Sequence, residues 1–340
     1  MKFLKKEDNP RRKIFFLAVL ALMVIVGSFL IGRYPLSLKE IFGILTSKIL
    51  SVEPFWTEQA QTVFLNVRAP RVLTGCLVGC ALSAAGAAYQ GVFQNPMASP
   101  DILGASAGAA FGAALALLFG ADGSVVIGAA FFFSLLCTGA AWLISQRTQG
   151  RQILGLILSG IVVGSLFTAS TSLIKLVADP TDQLPAITYW LMGSLAGSGQ
   201  VTLLFSAGIM AVGLIPLFLL RWKINVLTLG DEEAWALGVN AKKMRLIIVF
   251  CASLITAAAV AISGIIGWVG LVVPHMARRL VGNNYRYLMP ASMLMGAAFL
   301  PVVDDVARNM LSSEIPIGIL TAFIGAPFFL YLITAKGGSA

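Results

Sequence analysis

The sequence predicts an all-α integral membrane protein of about ten transmembrane helices in one compact bundle, and three observations support this. Of the 340 residues, 58% are hydrophobic and only 11% charged, whereas a soluble domain carries about a quarter charged residues. Apolar runs of about 20 residues, the length a helix needs to cross a bilayer, recur along the whole chain. The net charge of +9 sits in the short polar gaps between those runs, where basic residues report topology rather than affinity for nucleic acid.

The spans follow in order. A basic tail, residues 1–13, leads into an apolar run at 14–32. A signal peptide has the same beginning, but the run is long and no small-x-small cleavage site follows it, so it reads as an uncleaved first span. Further spans are expected at 72–93, 102–121, 125–144, 153–174, 201–220 and 315–334. The uncharged stretch from Leu246 to Met276 is too long for one crossing. Ser263-Gly264 and Gly267 offer a break, giving spans near 246–263 and 266–281, and a tenth lies near 288–303. No linker or internal repeat divides the chain, so residues 1–340 form a single domain. Gly75-x-x-x-Gly79, Gly104-x-x-x-Gly108-x-x-x-Gly112 and Gly160-x-x-x-Gly164 would let helices approach closely, without pointing to any one function.

Ten spans place both termini on one side. That side receives the N-terminal tail, the 145–152 turn, the 221–245 loop, the 278–287 loop and the C-terminus, together holding 17 of the 24 Lys and Arg residues. The opposite side holds Arg33, Lys39, Lys48, Arg68, Arg71, Lys175 and Arg308. By the positive-inside tendency the first side is cytoplasmic, with outer loops at 33–71, 175–200 and 304–314.

Little in the chain suggests covalent chemistry. There is no G-x-x-x-x-G-K-[ST] phosphate loop and no H-E-x-x-H. The one histidine, His275, follows Pro274 and reads as structural. The four cysteines, Cys76, Cys80, Cys137 and Cys251, lie in apolar runs with no His or acid beside them, and read as small packing residues. Ion-coupled carriers usually keep carboxylates deep in their spans. Here Asp101, Asp179, Asp182, Asp304, Asp305 and Glu314 crowd span ends. That disfavours both an intramembrane enzyme and an ion-gradient-driven secondary transporter, the main alternative. It leaves a passive pathway that needs an outside engine.

The cytoplasmic loop 221–245 is where an engine could grip. Asp231, Glu232 and Glu233 suit the first turn of a short helix opened by Thr228 and Gly230. Gly238 can close that helix and Asn240 can cap the next. The knob would carry Ala234, Trp235 and Leu237, an apolar tip in water unless a partner covers it. An ordinary connecting loop remains open on these residues alone.

Six motifs occur in order along the chain. They are Arg68-Ala69-Pro70-Arg71, the run from Gln94-Asn95-Pro96-Met97-Ala98-Ser99-Pro100-Asp101 to Ala109, Trp190-Leu191-Met192-Gly193-Ser194, Gly270-Leu271-Val272-Val273-Pro274-His275-Met276-Ala277-Arg278, Glu314-Ile315-Pro316-Ile317-Gly318, and Gly325-Ala326-Pro327-Phe328. Together they resemble the FecCD-like permease subunits of ABC importers for iron-siderophores, haem and vitamin B12, over about Arg68 to Phe329. Met97 stands where Leu is usual and Trp268 where another aromatic is usual. The Asn-Pro and Ser-Pro pairs also have a local role, a sharp turn into the third span with side chains satisfying freed backbone groups.

The resemblance implies an inner-membrane permease paired with a second permease subunit, expected as a homodimer. It implies two cytoplasmic ATPases that bind the ATP and Mg, and an extracytoplasmic substrate-binding protein. This chain itself would bind no cofactor and meet only lipid besides these partners. Leu229, Gly230, Asp231, Glu232, Glu233, Ala234, Trp235, Ala236, Leu237 and Gly238 match the position of the family's coupling helices. The turn Ser145–Gln152 resembles its inner gate region. Arg68, Arg71 and Arg308 match arginines that receive acids of the binding protein. The residues alone also allow these arginines to pair with Asp304, Asp305 and Glu314 or to bind lipid phosphate.

Overall fold

A computed structural model describes residues 9–47, 50, 53–148 and 152–336 of the chain. The described residues contain no strand. In order, the helices are α1 (Pro10–Leu30), α2 (Leu38–Thr46), α3 (Glu58–Thr62), α4 (Ala69–Val92), α5 (Ala105–Leu118), α6 (Gly123–Ser145), α7 (Gln152–Val177), α8 (Gln183–Leu191), α9 (Gln200–Leu219), α10 (Arg221–Leu227), α11 (Asp231–Ala236), α12 (Ala241–Ser263), α13 (Val269–Val281), α14 (Tyr285–Asn309) and α15 (Ile317–Lys336).

Seven helical stretches among the described residues are long and apolar enough to cross a membrane. The shorter α5 and α13, together with α15, complete the ten expected positions. The stretch from 246 to 281 breaks where expected. Gly264 (φ 64°) ends α12 and Trp268 (φ 71°) precedes α13. At 13 residues, α13 spans only about 20 Å, and the non-helical residues 264–268 make up part of the missing length.

Helix α4 is the centre. It packs against α14, α12, α13 and α9, and small residues make this possible. A Cβ at Gly79 would collide with the Gly296 carbonyl of α14, and one at Gly86 with the Gly270 carbonyl of α13. Backbones meet there with nothing between them, the close approach that small residues permit in membrane bundles. Gly108 and Gly112 face α6 in the same way, and Gly160 of α7 faces Ile102.

Three expectations need correction. The 33–71 loop holds α2, α3 and a π turn over Val63–Arg68, so a continuous helical stretch begins at Glu58 and runs to Val92. Pro70 cannot donate to the turn before it, and the ladder widens to the π pattern there. The 175–200 loop holds α8, which includes Trp190 and Leu191. Helix α14 extends to Asn309 rather than ending at 303, so Asp304, Asp305 and Arg308 lie within it and are buried.

Candidate functional site

The predicted site residues fall at two opposite ends of the bundle. At one end α9 leads through α10 and α11 into α12. The sequence builds the knob much as expected, but with two helices in place of one. Thr228 closes α10, its hydroxyl donating to the Asn225 carbonyl at 2.6 Å, and does not open α11. Gly230 (φ 126°) alone precedes α11, whose first turn holds Asp231, Glu232 and Glu233. Gly238 (φ 74°) ends it. The Asn240 side chain accepts from the Lys243 backbone N–H at 2.9 Å and caps α12.

The knob has an inner and an outer face. Ala234 is fully buried against the bundle, so it is not part of the tip. Trp235 is 71% exposed and Leu237 61%, with Leu229 also exposed. Arg245 of α12, which the sequence reading passed over, is buried and holds Asp231 at 2.6 Å. One helical end is thus clamped while two large apolar side chains stand in the open. Gln94 was missed as well. It takes a positive φ of 52°, and its amide donates to the Leu227 carbonyl at 2.8 Å, tying the α4–α5 connection to the end of α10. Nothing local in the sequence marks either link, because the partners are far apart along the chain.

In the connection itself, Asn95 accepts from the Met97 N–H at 2.9 Å, and the Asp101 carboxylate accepts from the Ser106 hydroxyl. The turn into α5 therefore has the expected backbone satisfaction at Asn95, while Asp101 takes a side-chain hydroxyl instead. Of the 145–152 turn, residues 149–151 lie outside the described residues.

At the opposite end Arg68, Arg71 and Arg308 gather, but they face inward, only 3%, 8% and 8% exposed. Arg68 donates to the carbonyls of Phe29 at 3.0 Å and Tyr34 at 2.6 Å. It covers the last turn of α1, whose carbonyls have no helical partners and favour a cation. Arg71 forks Asp304, with Nη2–Oδ1 at 2.8 Å, and also Glu314, with Nη1–Oε1 at 2.9 Å. Arg308 pairs with Asp305 and donates to the Ser28 carbonyl at 3.2 Å, and the Ser28 hydroxyl donates to Asp305 at 2.6 Å. Helices α1, α4 and α14 are thereby joined by one closed set of charges. Glu314, in the turn before α15, is the partly exposed member, and the Arg71 guanidinium holds its carboxyl below the usual range. This is the internal pairing the sequence allowed. A partner's carboxylates could reach Arg71 and Arg308 only by displacing the acids already there, and Arg68 only by displacing backbone carbonyls.

A third arrangement draws two of the sequence motifs together with the break after α12. The Ser194 N–H donates to the Ser263 carbonyl at 2.8 Å, Ile317 N–H to Gly193 carbonyl at 2.9 Å, and Gly318 N–H to Met192 carbonyl at 3.1 Å. The Trp190–Ser194 motif, the break after α12 and the Glu314–Gly318 motif thus form one backbone seam. Beside it a half-open apolar groove is lined by Met192, Trp268, Gly318 and Phe323.

Among the described residues no three His, Cys, Asp or Glu side chains are placed to hold a metal ion.

The sequence pattern of the FecCD transport family matches residues 19–335. The molybdate import system permease protein MolB of Haemophilus influenzae is 40% identical over 330 residues, covering 96% of this chain and 97% of MolB. The hemin transport system permease protein HmuU of Yersinia pestis is 35% identical, with 96% of each chain covered. A solved inward-facing structure, assigned to the metal-chelate type of ABC transporter, superposes with a TM-score of 0.86 at 38% identity, over 96% of this chain and 99% of that one. The molybdate permease lies outside the range of iron chelates, haem and corrinoids that the motifs alone suggested.

Proposed function

Because the chain belongs to the FecCD transport family, we propose that it forms the translocation pathway of an ATP-driven importer for an iron chelate, siderophore or haem, or a corrinoid such as vitamin B12. It is a multi-pass membrane permease of the ABC importer kind. In this reading two copies pair, two ATPase subunits bind ATP and Mg at the α11 end, and that end faces the cytoplasm. A substrate-binding protein delivers cargo at the α8 end. MolB makes molybdate the competing cargo.

The observation that carries this reading is the knob. An exposed Trp235 and Leu237 on a helix clamped from behind by Arg245 form a rigid apolar plug suited to a groove in a soluble partner. Closure of the ATPases would push α11. The push would pass to α12 through Asp231 and Arg245, and to the α4–α5 connection through Leu227 and Gln94. Residues Leu229 to Gly238 are the proposed coupling element. For Arg68, Arg71 and Arg308, docking is proposed to work by exchange, a partner's carboxylates replacing Glu314 at Arg71, Asp305 at Arg308 and the backbone carbonyls at Arg68.

The test is reconstitution with the cognate ATPase and binding protein in vesicles. Uptake should require ATP and survive collapse of the ion gradients. Uptake driven by an ion gradient without the ATPase would establish the secondary-transporter alternative. Binding of siderophores, haem, cobalamin and molybdate to the cognate binding protein would identify the cargo.

A further inference from the structure

A concavity of about 290 Å³ lies where the ends of α6, α7 and α12 meet, beside the knob. Helical periodicity produces its walls. On α12, Lys242, Arg245, Leu246 and Val249 fall at i, i+3, i+4 and i+7, a single stripe. Trp142 of α6 and Gln146, the residue just past its end, fall one turn apart and line the same space. Lys243 adds a third cation, and among the described residues no carboxylate lines the space.

Its two halves differ in chemistry. One half is cationic. Lys242 and Lys243 are exposed there, while Arg245 is only 6% exposed. The Arg245 Nε has no hydrogen-bond partner among the described residues, an orphaned donor of the kind that calls for an acceptor. The other half is apolar, formed by Trp142, Leu246 and Val249, and Leu246 continues one turn on into the exposed Phe250. A free anion would use only the first half. A lipid uses both, with its phosphate at the basic end and its acyl chain along the apolar stripe. Trp142, in the apolar half, supplies an indole of the kind suited to a membrane–water boundary, and basic pockets between membrane helices are suited to acidic headgroups.

We propose that this concavity binds the phosphate headgroup of an anionic phospholipid from the leaflet at the α11 end. Lys242 and Lys243 hold the phosphate, and Leu246 and Phe250 hold the chain. Arg245 is then shared between the lipid and Asp231, so lipid occupancy sets how firmly α11 is clamped. This last consequence rests on the proposed coupling role, whereas the binding site does not.

The test uses the full chain in phosphatidylcholine-doped micelles, titrated with phosphatidylglycerol or phosphatidylcholine brominated in the acyl chains. The Trp142 signal is the quenching present in wild type and lost in Trp142→Phe. With two lysines engaged, half-quenching should come at a roughly tenfold lower mole fraction of the brominated phosphatidylglycerol. The Lys242→Gln/Lys243→Gln variant should lose that preference and keep the phosphatidylcholine curve. Equal quenching by both lipids overturns the proposal, as does a preference that survives loss of both lysines. Displacement of the brominated phosphatidylglycerol by millimolar inorganic phosphate also overturns it, by making the concavity a free-phosphate site. The readout involves neither transport nor ATP hydrolysis, so its failure is separate from failure of the importer reading.

Discussion

The α11 knob and the arginine cluster at the α8 end carry similar sequence signals and have opposite structures. Each is a group of residues that looks out of place: apolar side chains in a water-side gap, arginines on the side that disfavours them. At the knob the misfit persists, since Trp235 and Leu237 stay exposed and only Asp231 finds a partner. In the cluster the misfit is resolved internally, because the guanidinium groups are forked by Asp304, Asp305 and Glu314 or by helix-end carbonyls. The difference follows from energetics. A buried, unpaired arginine costs several kcal/mol, so any acid within reach is drawn in. An exposed leucine costs far less and can wait for a partner. Unresolved apolar exposure is therefore the better pointer to an interface.

The largest expected effect tests the closed half of this contrast. Arg71→Ala leaves Asp304 buried with only the longer 3.8 Å contact to Arg308 and should cost about 3–5 kcal/mol, seen as a lower thermal midpoint and loss of the monodisperse peak in detergent. Arg71→Met with Asp304→Leu should recover much of the loss. A stable Arg71→Ala protein would mean that the cluster does not hold α4 to α14.

Next comes the open half. Leu237→Asp or Trp235→Asp should leave the isolated permease as stable as wild type. Each should weaken ATPase assembly by about 2–5 kcal/mol, as expected for a charge placed in an apolar contact. Normal assembly and transport with Leu237→Asp would move the coupling interface elsewhere. Equal destabilisation of the isolated chain would erase the contrast with Arg71.

Smaller still is Arg308→Lys. It keeps the charge but loses the rigid guanidinium fork, whose Nη2 alone serves both Asp305 and the Ser28 carbonyl, at a cost of about 1–2 kcal/mol. The same variant sharpens the docking proposal. If a partner's carboxylates exchange into this fork, association of the loaded binding protein should slow at low salt. An unchanged association rate with reduced stability would assign Arg308 to the internal role alone.

Much of this was legible in the sequence because spans and caps are local. The break at Gly264, the cap at Asn240 and the closing turn at Gly238 depend on residues within a turn of each other. Part of the cluster could also have been read: Asp304, Asp305 and Arg308 occupy i, i+1 and i+4, so an extended α14 brings Arg308 onto both acids. What hid it was the assumption that charges end a span. The rest depends on distant contacts. Ser28 meets Asp305, Arg71 meets Glu314 and Gln94 meets Leu227 across more than a hundred residues, and no local spacing encodes such pairs. Ala234 was misplaced for a related reason, since a six-residue helix has too few positions to show which face the bundle covers.

The smallest expected effect lies at the rim, where the closed cluster meets water. The Glu314 side chain is 32% exposed, and Arg71 holds it at 2.9 Å. Its carboxyl titrates below its ordinary value chiefly because of the hydrogen bonds from Arg71. A depressed folded-state value means that the stabilisation is fully present above the unfolded value, and is lost as the pH falls through the folded one. Solvent screening keeps the contribution near 1 kcal/mol or less. Glu314→Gln should therefore melt slightly below wild type at pH 7. The two curves should converge in the acid range, where wild type also carries a neutral side chain. Arg71 keeps Asp304 in both proteins, so neither should show the collapse expected of Arg71→Ala. Thermal melts in detergent from pH 7 downward would measure the gap. A gap that stays constant with pH would mean that Glu314 acts through shape or neutral hydrogen bonding, and that the charge of the cluster ends at Asp304.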